Sequence, residues 1–429
     1  MTAAVSTHPA TWKSSATIFL VAFAVAAVFW LALPRSVRTT RSTDYATVYA
    51  PAARNLLAGN GVTTPDGQLL THFPPGYPCI LAAAFQIAHS THLPENFLLQ
   101  LLAFTAHALT ALLIYRMAVT IWSPRFALVP AILWMTYLPA LWFTSVLNSE
   151  VAFTPIFYAT LLLFWRQLRR PKFSLPAGFL LGLLIGVAML VRPIAIAVAF
   201  ILAALLWFHR PMDTRSRRAA AIVVLLLGNL LAVLPWQVYA YLRTGKVLLL
   251  SSGGLPSLID GLTYALPRAD RADTPVSREV LTVMQQCENA YRSGQIRSVS
   301  MAFVYLAQQA KEHPLAVLQI FATKAARSWF ATDSHHLERP LLILQIPYLL
   351  AGLISLILAL RWRGPARQMA TLSLAFVLYF WAMTILVLSL LRYMTPAMPL
   401  LFVLTPGLWV FLRKPTGKLP LQITSRVVE

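Results

Sequence analysis

Along most of this chain apolar residues neither alternate nor recur on one helical face; they run unbroken. Such runs lie at about 14–33, 97–118, 125–146, 150–166, 174–191, 193–209, 218–242, 341–360, 368–390 and 395–412. Most approach the ~20 residues that cross a ~30 Å hydrocarbon core, and a few are short. A segment apolar on every face belongs in lipid or deep inside a bundle. The pattern therefore predicts an all-α polytopic membrane protein with about ten transmembrane helices. The first run is longer than a signal-peptide core and no small-x-small cleavage site follows it, so it reads as an uncleaved anchor. A shorter run at 79–88 cannot span, and it is expected to lie along the interface.

The polar gaps divide the chain. Residues 1–242 read as a transmembrane core with a first extracytoplasmic loop at 35–96. Residues 243–340 are polar enough to fold in water, with helices expected near 276–292 and 298–330. Residues 341–429 return to the membrane and end in a short cytoplasmic tail. No internal repeat is visible, which speaks against a transporter built from inverted halves.

Composition agrees. Of 429 residues 58% are hydrophobic and only 11% charged, where soluble chains carry about a quarter charged. No water-soluble surface can be made from that mixture. The net charge of +21 invites a nucleic-acid reading, but the positions of the charges remove it. Arg116 and Arg125, RQLRRPK (166–172), HRPMDTRSRR (209–218), RWRGPAR (361–367) and RKPTGK (413–418) fall in gaps that share one side if the spans alternate. Basic residues on the cytoplasmic side set topology, so no nucleic-acid partner is needed. Cys79 and Cys287 form no metal-ligand spacing and read as two unpaired thiols, with a disulfide as the alternative.

With that sidedness, four charged residues gather at outer span ends. Asp44, about ten residues after the first span, is placed to take a proton from an incoming hydroxyl; pairing with Arg38 or Arg41 is the plain alternative. Tyr45 and Tyr49 stand beside it and Tyr393 follows Arg392, three rings that could shape a sugar pocket. Glu150, in FTSVLNSEVAFTP, begins a span, where a carboxylate also favours the helix N-terminus. Arg192 in MLVRPIA and Arg392 in LLRYMTPAMP defy the positive-inside trend. Arginine grips phosphate oxygens bidentately, although a single boundary arginine is more often reaching for headgroups. Asp333, His335 and His336 lack helical ligand spacing and read as a plain loop. No metal site is called.

These motifs, in order, resemble the GT-C glycosyltransferases of the dolichyl-phosphate-mannose protein mannosyltransferase and aminoarabinose transferase type. The resemblance rests on TDYATVYAPAARNLLAGNG after the anchor, then FPPGYP, NSE, VRPIA, KVLLLSSGGLPSLIDG and RYMTPAMP. It implies a GT-C-like bundle in the cell (inner) membrane with its active site on the extracytoplasmic face. The implied reaction is an inverting transfer of one sugar from a polyprenyl-phosphate donor to a lipid, glycan or protein acceptor, with no cofactor beyond that donor. Asp44 would then be the base, Glu150 an orienting acid, and Arg192 and Arg392 the cations for the leaving phosphate. Two departures stand out. Tyr45 follows Asp44 where protein mannosyltransferases show an Asp-Glu pair, and Phe73 precedes the Pro-Pro where the aminoarabinose group tends to show lysine. From other classes, a transporter and a lipid-linked polymer ligase or polymerase remain as rivals.

Overall fold

The computed structural model describes residues 12–209, 214–264 and 278–413. The basic clusters at 209–218 and 413–418 lie partly, and the rest of the C-terminal tail wholly, outside those residues. The described chain is helical, with one isolated β-bridge between Thr63 and Leu69. Among the described residues, seven stretches are long and apolar enough to cross a membrane: Lys13–Ala32, Glu95–Ala118, Ser149–Leu168, Arg215–Thr244, Glu338–Arg361, Pro365–Leu386 and Leu391–Val410. Two shorter apolar helices, Leu175–Val191 and Pro193–His209, match the short runs in the sequence.

The expected span 125–146 is instead two helices, Pro124–Met135 and Leu138–Val146, bent by 48°. Pro139 opens the second helix and has no N–H to continue the first. Likewise the single helix expected over 298–330 divides into Val299–Glu312 and Pro314–Arg327. The Pro314 ring disfavours helical backbone at His313, which sits at φ −130°, ψ 62°. The run at 79–88 extends to a helix over Gly76–Thr91.

In lipid there is little hydrophobic drive to bring helices together, so close backbone approach through small residues matters more. Leu175–Val191 and Arg215–Thr244 show this. A Cβ at Gly182 would stand 2.0 Å from the Leu225 carbonyl oxygen, and one at Gly228 would stand 2.3 Å from that of Phe179. Glu95–Ala118 packs against Trp12–Ala32, Pro124–Met135 and Ser149–Leu168. Large apolar side chains such as Leu20, Val28, Leu231 and Ile343 point outward, as lipid-facing residues do.

A second, separate core is built from Leu258, Val280, Cys287, Leu306 and Ile320. Its helices are Gly254–Tyr264, Arg278–Arg292, Val299–Glu312 and Pro314–Arg327. The last of these packs on Pro365–Leu386, and Ser252 N–H donates to the Thr71 carbonyl at 2.7 Å. Both cysteines are free, Cys79 exposed and Cys287 within this second core.

Candidate functional site

Each charged residue of the site stands where a helix is made to start or stop. Asp44 leads into a π-helical turn, Tyr45–Tyr49, that runs on into Ala50–Leu57. The wider turn changes which side chains share a face, a device common at functional sites. Its approach is fixed by Ser42, whose N–H donates to the Val146 carbonyl at 3.1 Å and whose Oγ accepts from Tyr45 N–H at 3.2 Å. Glu150 starts Ser149–Leu168 just after Leu147, which takes a left-handed conformation, φ 57° and ψ 49°. That conformation costs a leucine about 1–2 kcal/mol. The Tyr77 hydroxyl offsets it by donating to the Leu147 carbonyl at 2.7 Å.

Arg192 ends Leu175–Val191 because Pro193 follows it, and its backbone is extended at φ −146°, ψ 125°. Against this end lies the FPPGYP elbow: a Cβ on Gly76 would meet the Leu190 carbonyl at 2.6 Å. The elbow thus abuts both the Arg192 break and, through Tyr77, the turn before Glu150. Phe73, where a lysine was sought, packs edge-on to Tyr49 at 5.1 Å. Arg392 follows an irregular segment after Pro365–Leu386, and its neighbour Leu391 donates to the Ala331 carbonyl at 2.9 Å.

The side chains converge. Arg392 Nη1 donates to Asp44 Oδ2 at 3.2 Å. Its Nε lies 3.9 Å from Glu150 Oε1, and its Nη2 lies 3.7 Å from Asp333 Oδ1. Arg192 Nη1 stands 2.5 Å from Glu150 Oε1 and donates to Ser149 Oγ at 3.1 Å. Tyr393 joins the two cations, its ring centre 5.0 Å from each guanidinium carbon. Such contacts add electrostatic attraction to the ring face. Two guanidiniums therefore meet three carboxylates, and one acid is in surplus. Glu150 is sealed at 4% side-chain exposure while Asp44 is 34% exposed. Of the two, only Asp44 is open to a hydroxyl arriving from water.

Two titrations are displaced. Partial desolvation raises the Asp333 carboxyl, with Arg392 opposing and Glu150 and Asp44 adding to the rise. Burial pushes the Tyr49 hydroxyl well above its usual range, with Arg192 opposing, so it remains a protonated donor beside Ser149. A cavity of about 20 Å³ lies behind Glu150, lined by His107, Thr110, Thr144, Thr154 and Thr395. It has room for about one water.

Of the residues singled out from sequence, Asp44, Glu150, Arg192, Arg392, Tyr49 and Tyr393 come together. Tyr45 does not: it is buried towards Arg41, Arg54 and Glu95. Asp44 does not pair with Arg41, whose Nη1 donates to the carbonyls of Arg38, Thr40 and Ser145 and whose Nη2 donates to Asn96 Oδ1. Arg38 lies over the Trp30 ring instead. Asp333, read from sequence as part of a plain loop, also stands in this cluster, 3.7 Å from Arg392 Nη2. Its signal was position: it lies in the loop that leads into the span Glu338–Arg361, as Asp44 lies in the segment after the first span. Among the described residues no three His, Cys, Asp or Glu side chains are grouped so as to hold a metal ion.

Residues 72–239 match the family model described as dolichyl-phosphate-mannose-protein mannosyltransferase, a stretch that contains Glu150 and Arg192. No curated protein matches the chain by sequence. The fold is shared with the Archaeoglobus fulgidus oligosaccharyltransferase tethered to an acceptor peptide containing the NVT sequon. The TM-score is 0.56 at 14% identity, over 94% of this chain and 50% of that one. The same archaeal enzyme, AglB, in complex with an inhibitory peptide and a dolichol-phosphate, superposes with TM-score 0.55 at 14% identity, over 94% and 51%. A looser likeness, TM-score 0.42 at 16% identity over 92% and 77%, is to ArnT from Cupriavidus metallidurans bound to undecaprenyl phosphate. The chain spans about half the length of the oligosaccharyltransferase. The expected all-α, GT-C-like membrane bundle is borne out.

Proposed function

We propose that this chain is a multi-pass membrane glycosyltransferase that passes one sugar from a polyprenyl-phosphate donor to a hydroxyl of a lipid, glycan or protein, with inversion. The site would face the extracytoplasmic side of the cell membrane. The observation that carries this reading is the contact between Asp44 and Arg392, 3.2 Å apart. It supports reading Asp44 as a solvent-reachable base beside a cation for the donor phosphate. The family match and the archaeal enzyme in complex with a dolichol-phosphate give the same direction.

The chemistry follows from the positions. Asp44 takes the proton of the acceptor hydroxyl, whose oxygen forms the new bond to the anomeric carbon. The bond from that carbon to the phosphate oxygen breaks, and both its electrons leave with the polyprenyl phosphate. Arg392, supported by Arg192, neutralises the charge that develops there. Attack from the face opposite the leaving group inverts the centre. Base and cation must then flank the sugar, so donor entry parts the Asp44–Arg392 pair. The tighter Arg192–Glu150 pair, at 2.5 Å and buried, stays closed and holds the frame. An apolar cavity of about 300 Å³ lies beside the same turn, lined by Tyr77, Leu81, Leu99, Leu147, Val151 and Pro155. It suits an isoprenoid tail.

A transporter would carry its ionisable groups near the middle of the spans. Here Asp44, Glu150, Arg192 and Arg392 sit at helix ends, and Asp333 lies in the loop before Glu338–Arg361. The test is to supply the protein in vesicles with a panel of polyprenyl-phosphate sugars and, separately, nucleotide sugars. Transfer is expected from at least one polyprenyl-phosphate sugar and from no nucleotide sugar; the reverse pattern would overturn the assignment.

A further inference from the structure

Helix Pro314–Arg327, the last of the second core, carries two cations in its final turn, Lys324 and Arg327. The chemistry above uses neither. Lys324 is wholly buried, with 0% exposure. Its ammonium Nζ donates to the Val387 carbonyl at 3.0 Å and lies 5.8 Å from the Phe321 ring centre. Burial pushes its pKa down to about 7. A buried lysine is costly unless its donors are used, and a methionine would fill the same space without that cost. What the lysine holds is therefore the question.

Val387 is the residue at which Pro365–Leu386 ends, with φ −103° and ψ −102°. It lies five residues before Arg392 in the chain. Gly261 presses on the same carbonyl from the helix Gly254–Tyr264: a Cβ there would stand 1.6 Å from the Val387 oxygen and 3.0 Å from Lys324 Nζ. One turn along from Lys324, Arg327 donates to both oxygens of Glu338, at 2.8 and 2.9 Å. Glu338 also accepts from Thr332 N–H at 3.1 Å. That closes the loop bearing Asp333, and the Ala331 carbonyl in turn receives Leu391 N–H.

We infer that Lys324 is a positioning residue for the phosphate-binding centre. By fixing the Val387 carbonyl it sets where segment 387–392 leaves its helix, and so where Arg392 stands among Asp44, Glu150 and Asp333. The second core is thereby coupled mechanically to the site. The inference rests on the assignment of Arg392 as the cation for the donor phosphate.

The test uses the full chain in lipid nanodiscs, comparing wild type, Lys324→Met and Gly261→Ala. Hydrogen exchange at 387–392 is expected to quicken in both variants, with exchange in Ser149–Leu168 unchanged. Gly261→Ala disturbs the same carbonyl from the other side, so the question stays open to test if Lys324→Met does not fold. Undecaprenyl phosphate serves as the binding probe. Its Kd is expected to rise about tenfold in Lys324→Met, the size of one charge-assisted hydrogen bond misplaced. In an Arg392→Ala background the same change is expected to add nothing. Unchanged exchange at 387–392 overturns the inference whatever the lipid does. An equal loss of binding with and without Arg392 also overturns it, since Lys324 would then act on the fold at large. Quickened exchange in a protein whose wild type binds no undecaprenyl phosphate upholds the anchoring and removes Arg392 as the phosphate cation. The two failures are thus separable.

Discussion

Asp44→Asn is expected to cut sugar transfer by about 10²–10⁴-fold while the protein still binds undecaprenyl phosphate. The substitution keeps the shape of the side chain and an oxygen that can accept from Arg392, now 3.2 Å away. It removes the capacity to take a proton. A positioned general base contributes about 10²–10⁴-fold to rate, so turnover should fall by about that factor at saturating donor. Binding should hold or tighten, because Arg392 loses an anionic partner that competes with phosphate. Glu150 cannot stand in as the base, because it is sealed behind Arg192. Full activity in Asp44→Asn would remove Asp44 from the chemistry.

Glu150→Ala is expected to cost the folded state more than any other single change at the site. The pair is buried on both sides, Arg192 at 9% and Glu150 at 4% side-chain exposure. Truncating one partner of a buried pair leaves an uncompensated charge, at about 3–5 kcal/mol. Ser149 and the Tyr393 ring remain near Arg192, but neither carries a negative charge. Glu150 also sits in the first turn of its helix, where a carboxylate is favoured. Glu150→Gln retains an acceptor for Arg192 and should melt between Glu150→Ala and wild type. A thermal unfolding series in one detergent decides this, and Glu150→Ala melting with wild type would contradict the buried-pair argument.

Much of this could be read from the chain because membrane spans write themselves as unbroken apolar runs. Asp44, Glu150, Arg192 and Arg392 were conspicuous for the same reason, as charges at the ends of such runs on one predicted face. What the runs cannot show is which face of a span meets which neighbour, since every face is apolar. The Asp44–Arg392 contact joins residues 348 positions apart, and only the assembled bundle selects Arg392 over the nearby Arg38 and Arg41. Tyr45 was misplaced because the π-helical turn turns it towards Arg41 and Arg54 while leaving Tyr49 near Ser149. Asp333 was passed over because its loop has no ligand spacing. Its orientation comes from contacts far along the chain: Arg327 on Glu338, and Leu391 on Ala331. The break at Tyr137 and the split at His313 were written in Pro139 and Pro314, local signals outweighed by the hydropathy around them.

The most direct test of the central claim is the stereochemistry of a single turnover. With a polyprenyl-phosphate sugar of defined anomer and the wild-type chain, NMR of the glycosylated product should show the opposite anomer. Mass spectrometry should show one equivalent of free polyprenyl phosphate and no sugar attached to the protein. Retention of configuration, or a glycosyl ester on Asp44, would contradict a single displacement with Asp44 as base and Arg392 at the leaving phosphate.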